Sequence, residues 1–242
     1  MVALITGSTG GLGKEIALTL AKDGFDIILH YHNDEVGVLN LASDIRNKYK
    51  RTVRMYKADL TSEEEITKMV ENIKTDYFSL DVLVNNAAIC KDTDLMSKDK
   101  KDFLEVMDVN LIAPFLLSKQ LYPLLKDAGG TIINISSNNA LNSYYAESID
   151  YDASKKALIS LTNNLALSFA PEVRVNCLCP GWINTRMNKD LEETFKKQEE
   201  EKIFLKRFAE PEEIANVVSF LASPKASYIN NAVITVDGGV KW

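Results

Sequence analysis

The sequence predicts an α/β fold: a single-domain, doubly wound (Rossmann) parallel sheet of about seven strands flanked by helices, spanning residues 1–242. Three observations predict it. Short β-branched runs alternate along the chain with helix-length amphipathic segments, the pattern of repeated βαβ units. A glycine-rich turn stands at the first strand-to-helix junction, where sheets of this kind hold their ligands. No repeat, low-complexity tract or Pro/Gly/Ser linker divides the chain.

The elements follow in order. VALIT (2–6) is a buried first strand, and TGSTGGLG turns from it into a helix over 11–23. DIILHY (26–31) is the second strand, ahead of a helix at 35–49. TVRMYKA (52–58) is the third, and the helix at 62–76 starts on a capping Thr61 or Ser62 before three glutamates. VLVNN (82–86) precedes one long helix at 99–125, and TIINIS (131–136) precedes a helix at 150–169. Pro171 ends that helix, because proline cannot continue it. RVNCLCP (174–180), a charged helix at 187–202, a helix at 211–222 opened by Pro211, and AVITVD (232–237) complete the set. Asn231 suits a left-handed turn before the last strand.

Composition excludes several function classes. A formal net charge of −6 argues against a nucleic-acid partner, which needs a concentrated basic footprint. There is no apolar run long enough to span a membrane, and MVALITG enters a strand at once, so neither a membrane segment nor a signal peptide is expected. Cys90, Cys177 and Cys179 form no CxxC pair and are odd in number, the pattern of reduced thiols in a cytoplasmic protein. Cys177 and Cys179 share one face of a strand and read as small buried residues; no metal site is expected.

Two clusters carry chemistry. In the first turn, glycines let the backbone approach a pyrophosphate whose charge rests on the helix N-terminus. The spacing is ambiguous: Gly7, Gly11 and Gly13 fit TGxxxGxG, whereas Gly7, Gly10 and Gly13 fit TGxxGxxG. The second cluster is YDASK, with Tyr151 and Lys155 four apart on one helix face and Ser136 and Ser137 upstream. An ammonium beside a phenol is expected to draw its pKa down from about 10, making an acid/base without histidine or carboxylate. Lys156 lies about 100° around the helix and should face solvent or an interface.

TGSTGGLG, Asp59-Leu60, NNAA (85–88), Asn110 in VMDVNL, NISS (134–137), YDASK, PGWINT (180–185) and VDGG (236–239) together resemble the short-chain dehydrogenase/reductase family, in its compact single-domain branch. The likeness runs from residue 2 to about 239 and is similar to 3-oxoacyl-thioester reductases and hydroxysteroid dehydrogenases. It favours the Gly7, Gly11, Gly13 frame, since the other branch is larger. It implies catalytic roles for Asn110, Ser137, Tyr151 and Lys155. It implies cofactor contacts from Gly7, Gly11, Leu12, Gly13, Tyr31, His32, Asp59, Leu60, Asn86, Ala87, Tyr151, Lys155, Pro180, Gly181, Ile183 and Thr185. By this likeness Ser137 binds the substrate carbonyl, Lys155 also holds the nicotinamide ribose, and the Asn110 carbonyl holds a relay water. Asp59 reads equally well as a capping acid ahead of Thr61. Ala88 replaces a family glycine and is tolerated if its φ is negative. Ser137 and Tyr151 are 14 residues apart, one more than in many relatives, so the intervening loop is longer.

Tyr31 fills the place of the acid that selects NAD, so a 2′-phosphate meets no repulsion and NADP is expected over NAD. No arginine stands in the glycine turn, where Gly10 occupies its place; His30 and His32 are candidate phosphate donors. The implied reaction is hydride transfer between NAD(P)(H) and a small-molecule carbonyl/secondary alcohol pair. The substrate is a 3-oxoacyl thioester or, alternatively, a hydroxysteroid, sugar or other small alcohol; a non-catalytic NAD(P)-binding sensor is the remote alternative. An acidic carrier protein would want a basic docking patch, and Lys98, Lys100 and Lys101 offer only a mixed-sign cluster on a chain of negative net charge. Residues 187–207 are the expected substrate flap, with Leu191, Phe195, Ile203, Phe204 and Leu205 as candidate contacts. The resemblance also implies a homotetramer, and Leu158, Leu161, Leu165 and Phe169 suit either its interface or the core.

Overall fold

The structure is a computed structural model of the chain, and it describes residues 1–141, 145–185, 188 and 191–240. Among these, seven strands form one parallel sheet in the order β3-β2-β1-β4-β5-β6-β7: β1 (Val2–Ile5), β2 (Asp26–Tyr31), β3 (Val53–Lys57), β4 (Val82–Asn85), β5 (Thr131–Ile135), β6 (Arg174–Pro180) and β7 (Val233–Val236). Every adjacent pair is parallel. The central β4 and β5 are buried along their whole length, as strands covered on both faces must be. The edge strand β7 alternates exposed and half-buried residues.

Helices α1 (Gly11–Lys22), α2 (Glu35–Tyr49) and α8 (Pro211–Ala222) cover one face of the sheet. Helices α3 (Glu63–Asp76), α5 (Ala113–Ala128) and α6 (Ile149–Phe169) cover the other. Each face closes over its own apolar core. Local signals set the ends. Ser62, not Thr61, caps α3 by accepting from the Glu65 N–H. Pro211 begins α8 inside a reciprocal Glu210–Glu213 capping box, and Gly129 ends α5 at φ 60°. Asn231 adopts φ 60°, the expected left-handed conformation.

Two helices differ from expectation. The segment expected as one helix at 99–125 is α4 (Lys100–Met107), a π-helical turn at Asp108–Ile112, then α5. Asn110 sits in the wide turn, where its amide needs room to bond outward. The charged segment expected at 187–202 is helical only as α7 (Glu193–Lys202) within the described residues; Met187 lies outside them. Leu158 and Leu165 are 1% and 7% exposed within the single chain, so they belong to the core and not to an interface.

Lys98 stands apart from Lys100 and Lys101: its ammonium is buried 2.8 Å from the Asp150 carboxylate at the start of α6. It also donates to the Lys91 carbonyl. Asp150 in turn accepts from the Tyr151 N–H. Asp150→Ala strands a buried cation, and equilibrium urea unfolding should show a loss of about 3–5 kcal/mol. Lys98→Met with Asp150→Leu should recover most of it; an unchanged single variant would contradict the pair's burial.

Candidate active site

The strand ends at the β1 turn, β4, β5 and β6 lie along one edge of the sheet, and the chemistry-bearing residues gather there. Gly7 has φ 63°, and a Cβ on it would lie 2.9 Å from the Ala87 Cα. A Cβ on Gly11 would sit 3.0 Å from the Thr185 Cβ, and one on Gly13 2.7 Å from Asn86 Nδ2. At Gly10 the nearest atom is 3.5 Å away, an ordinary contact. Packing therefore demands the Gly7, Gly11, Gly13 frame and leaves Gly10 free to carry a side chain. Leu12 packs onto the core beneath the turn.

Side chains fasten this turn from both sides. The Thr6 hydroxyl accepts from the Asn86 and Ala87 N–H groups, both at 2.9 Å, while Asn86 Nδ2 donates to the Thr6 carbonyl at 2.8 Å. From β2, His30 Nδ1 accepts the Gly7 N–H at 3.0 Å, which leaves Nε2 to donate to the Ala58 carbonyl at 3.1 Å. Burial pulls the imidazole pKa down to about 4. His30 is thus a neutral clamp, not a phosphate donor. The sequence marked it as a candidate donor to a phosphate, since only the fold shows that both its nitrogens are taken.

At the adenine side, Tyr31 ends β2 half-buried and His32 is exposed, its Nε2 3.7 Å from Asp59. Asp59 accepts from the Thr61 N–H and hydroxyl at 2.9 and 2.8 Å, and the first of these bonds does most to hold its carboxyl below the usual range. Asp59 thus closes the turn ahead of α3, whose cap is Ser62, with its second oxygen turned toward His32. Leu60 is buried in the core. Asn85 is buried and donates to Asn134 Oδ1, which places it in the sheet interior. Ala88 has no positive φ, as its alanine requires.

Ser137, 9% exposed, follows β5 and stands beside the Tyr151 phenol, whose pKa it lowers. The Ser136 hydroxyl is spent on the Lys155 carbonyl at 2.8 Å. Lys155 Nζ lies 5.5 Å from the Tyr151 ring centre and donates to the Ile135 carbonyl at 2.8 Å. The expected depression of the phenol is reversed here. Burial raises the Tyr151 pKa well above its ordinary value, with the nearby Cys90 adding to the rise and Ser137 opposing it. Burial also brings Lys155 down to about 8. Desolvation is the largest cause of both shifts, and the ammonium donates to a backbone carbonyl.

Asn110 is fully buried; its side chain bonds the Ile89 N–H and carbonyl, both at 2.9 Å, and donates to the Ser154 hydroxyl at 3.0 Å. It ties the end of β4 to α6. Pro180 closes β6, the Gly181 N–H donates to the Val236 carbonyl, and Ile183 bridges to Ala209. Thr185 lies against Gly11, so the last loop of the site folds back onto the first.

The glycine cradle and a buried ammonium with donors to spare beyond Ile135 fit a dinucleotide. A dinucleotide cradle sharing a sheet edge with a serine–tyrosine–lysine group marks a pyridine-nucleotide oxidoreductase. Comparison with known proteins narrows the class. A family profile described as enoyl-(acyl carrier protein) reductase matches residues 7–241. The 3-oxoacyl-[acyl-carrier-protein] reductase of Aquifex aeolicus (strain VF5) is 40% identical over 99% of this chain and 96% of its own. L-sorbose reductase from Gluconobacter frateurii, solved with NADPH and L-sorbose, superposes with a TM-score of 0.91 at 29% identity, over 99% of this chain and 95% of that one. Acetoin dehydrogenase from Salmonella typhimurium gives 0.88 at 31%, with the same coverages. The chain belongs to the short-chain dehydrogenase/reductase family, and it is an NAD(P)(H)-dependent oxidoreductase acting on a carbonyl/secondary alcohol pair.

His30 makes a pH prediction. Its folded pKa is below its unfolded value, so below pH 6.5 the unfolded chain binds a proton that the folded chain refuses. That contribution is intact above pH 6.5 and falls by about 3 kcal/mol as pH drops to 4. Urea unfolding at pH 7 and pH 5 should show a steeper acid loss for the wild type than for His30→Gln; parallel losses would contradict it.

Proposed function

We propose that the chain reduces a 3-oxoacyl thioester with NADPH, in the cytoplasm, as one dinucleotide-binding unit. The observation that carries the chemistry is the Ser137–Tyr151–Lys155 group at the end of β5, with Ser137 and Lys155 buried and Tyr151 half-buried. A phenol that burial keeps protonated is the acid that carbonyl reduction needs. The bound nicotinamide would supply the hydride. Ser137 and Tyr151 donate to the substrate oxygen as charge develops on it, and Tyr151 delivers the proton. Lys155, its pKa brought down to about 8 by burial, holds the ribose hydroxyls and returns a proton toward the phenol. We assign the backbone carbonyl of Asn110, in the wide π-helical turn, to the relay water.

The acyl assignment is supported by the full-length similarity to 3-oxoacyl-[acyl-carrier-protein] reductases. The surface supports recognition of the acyl thioester more than of an acidic carrier. Lys98 is buried, and Lys91 is paired with Asp102 and Glu105 at 2.7 Å each. The likeness to acetoin and sorbose enzymes supports a second reading, a small hydroxyketone or sugar. A panel of acetoacetyl-CoA, acetoin and sorbose separates the two readings. The tetramer is supported by Leu104, Ile112, Phe115 and Ile149, which stand about two-fifths or more exposed along α4, α5 and the start of α6.

Tyr151→Phe should lower kcat by about 10²–10⁴-fold while NADPH affinity, read by titration, stays unchanged; retained turnover would sink the assignment. NADP preference rests on the missing acid after β2. Gly10→Arg, for which the turn has space, should raise the NADPH-over-NADH ratio of kcat/KM about tenfold, as one added phosphate contact would. An unmoved ratio would place the 2′-hydroxyl elsewhere.

A further inference from the structure

The segment after β6 carries a buried carboxylate that the reaction does not use. Glu199, on α7, is 4% exposed. Its Oε2 accepts from the Tyr145 hydroxyl at 2.8 Å and from the Trp182 indole N–H at 3.2 Å. Its Oε1 lies 2.6 Å from the Lys202 ammonium. Rings close around the same point. Trp182 meets Tyr145 edge-on at 6.0 Å and Phe195 edge-on at 5.9 Å, and it stacks on Phe208 at 5.4 Å. Three segments meet here: Tyr145 from the loop joining Ser137 to Tyr151, Trp182 from the stretch beside Gly181, and α7 from the expected flap.

We propose that Glu199 is a positioning residue that latches α7 onto the Ser137–Tyr151 loop and holds the substrate side of the site closed before substrate arrives. This rests on the reading that the edge bearing Ser137 and Tyr151 is where a carbonyl substrate binds. A single buried carboxylate on α7 accepts from donors on both neighbouring segments, so neither segment opens without breaking a bond to it. Lys202 offsets its charge, which makes burial tolerable. A flap already closed spares the substrate the entropy of ordering it. When the closed form is only a fraction of the molecules, apparent affinity falls by that fraction. The latch therefore governs KM and leaves the proton and hydride steps to other residues.

The test uses the NADPH-bound enzyme with acetoacetyl-CoA as probe. Tyr145→Phe removes one hydroxyl, Glu199→Ala removes the acceptor, and Glu199→Gln keeps an amide oxygen for both donors. Glu199→Ala should raise KM about tenfold and Tyr145→Phe about threefold, with kcat within about twofold and NADPH affinity unchanged. Glu199→Gln should recover most of the loss. Amides of residues 193–202 should exchange about tenfold faster in Glu199→Ala, while those of β1, β4 and β5 stay protected. Unchanged KM with unchanged exchange overturns the latch, as does a Gln variant no better than Ala. If Glu199→Ala does not fold, Tyr145→Phe decides by the same readings. If the wild type does not reduce the probe, the substrate assignment fails and amide exchange alone judges the latch.

Discussion

The site depends on how α6 is seated on the end of β5. An amine is buried there to 2% exposure, and its protein acceptor is the Ile135 carbonyl, the last of the strand. One residue on, the Ser136 hydroxyl bonds back to the carbonyl of Lys155 itself. Deeper in, Asn134 Nδ2 donates to the Thr162 hydroxyl at 2.9 Å, and the Thr162 hydroxyl donates to the Leu158 carbonyl at 2.9 Å. These bonds fix helix rotation and height in a face otherwise held by apolar contacts, which are non-directional. A leucine at 155 would pack more cheaply, since desolvation works against the ammonium and has pulled its pKa to about 8. A fold that tolerates such a group uses it.

The glycine turn obeys a similar constraint from the other side. Parallel strands all end at one edge, so their loops crowd together, and backbone polar groups there need partners. Thr6 and Asn86 answer for β1 and β4, and His30 answers for the Gly7 N–H. Thr185 then folds over Gly11. The glycines are small because neighbouring loops fill the space where their side chains would be.

The sheet was legible in the sequence because its central strands are unbroken apolar runs, and the glycine and YDASK clusters were legible because their spacing is set by a turn and a helix. What escaped was set by tertiary contact. VMDVNL has the pattern of a continuous helix, and only the bonds from Asn110 to Ile89 and Ser154 reveal why the turn widens. Lys98 looks like any surface lysine until Asp150 is brought against it. The phenol's pKa was read from the nearness of Lys155, whereas its direction is decided by desolvation, which one helix face does not report. Glu199 sits in a run of charged residues where nothing singles it out.

The longer stretch between Ser137 and Tyr151 brings these threads together. Asp152, next to the acid, accepts from Asn139 Nδ2 at 2.8 Å, from the Ser148 hydroxyl at 3.2 Å and from the Tyr145 N–H at 3.3 Å. Asn139 donates its own N–H to Ser137 at 3.2 Å. The described parts of the loop are therefore bound to the catalytic helix at both ends, through a carboxylate one residue from the phenol. Glu199 takes hold of the same loop at Tyr145 from the far side. The loop between Ser137 and Tyr151 is thus gripped by two carboxylates, Asp152 on the rigid helix and Glu199 on α7. On the proposed reading, proton transfer belongs to the strand end and helix, which the core immobilises, and substrate selection to the loop between these two grips, where one carboxylate fixes its base and the other its outer wall.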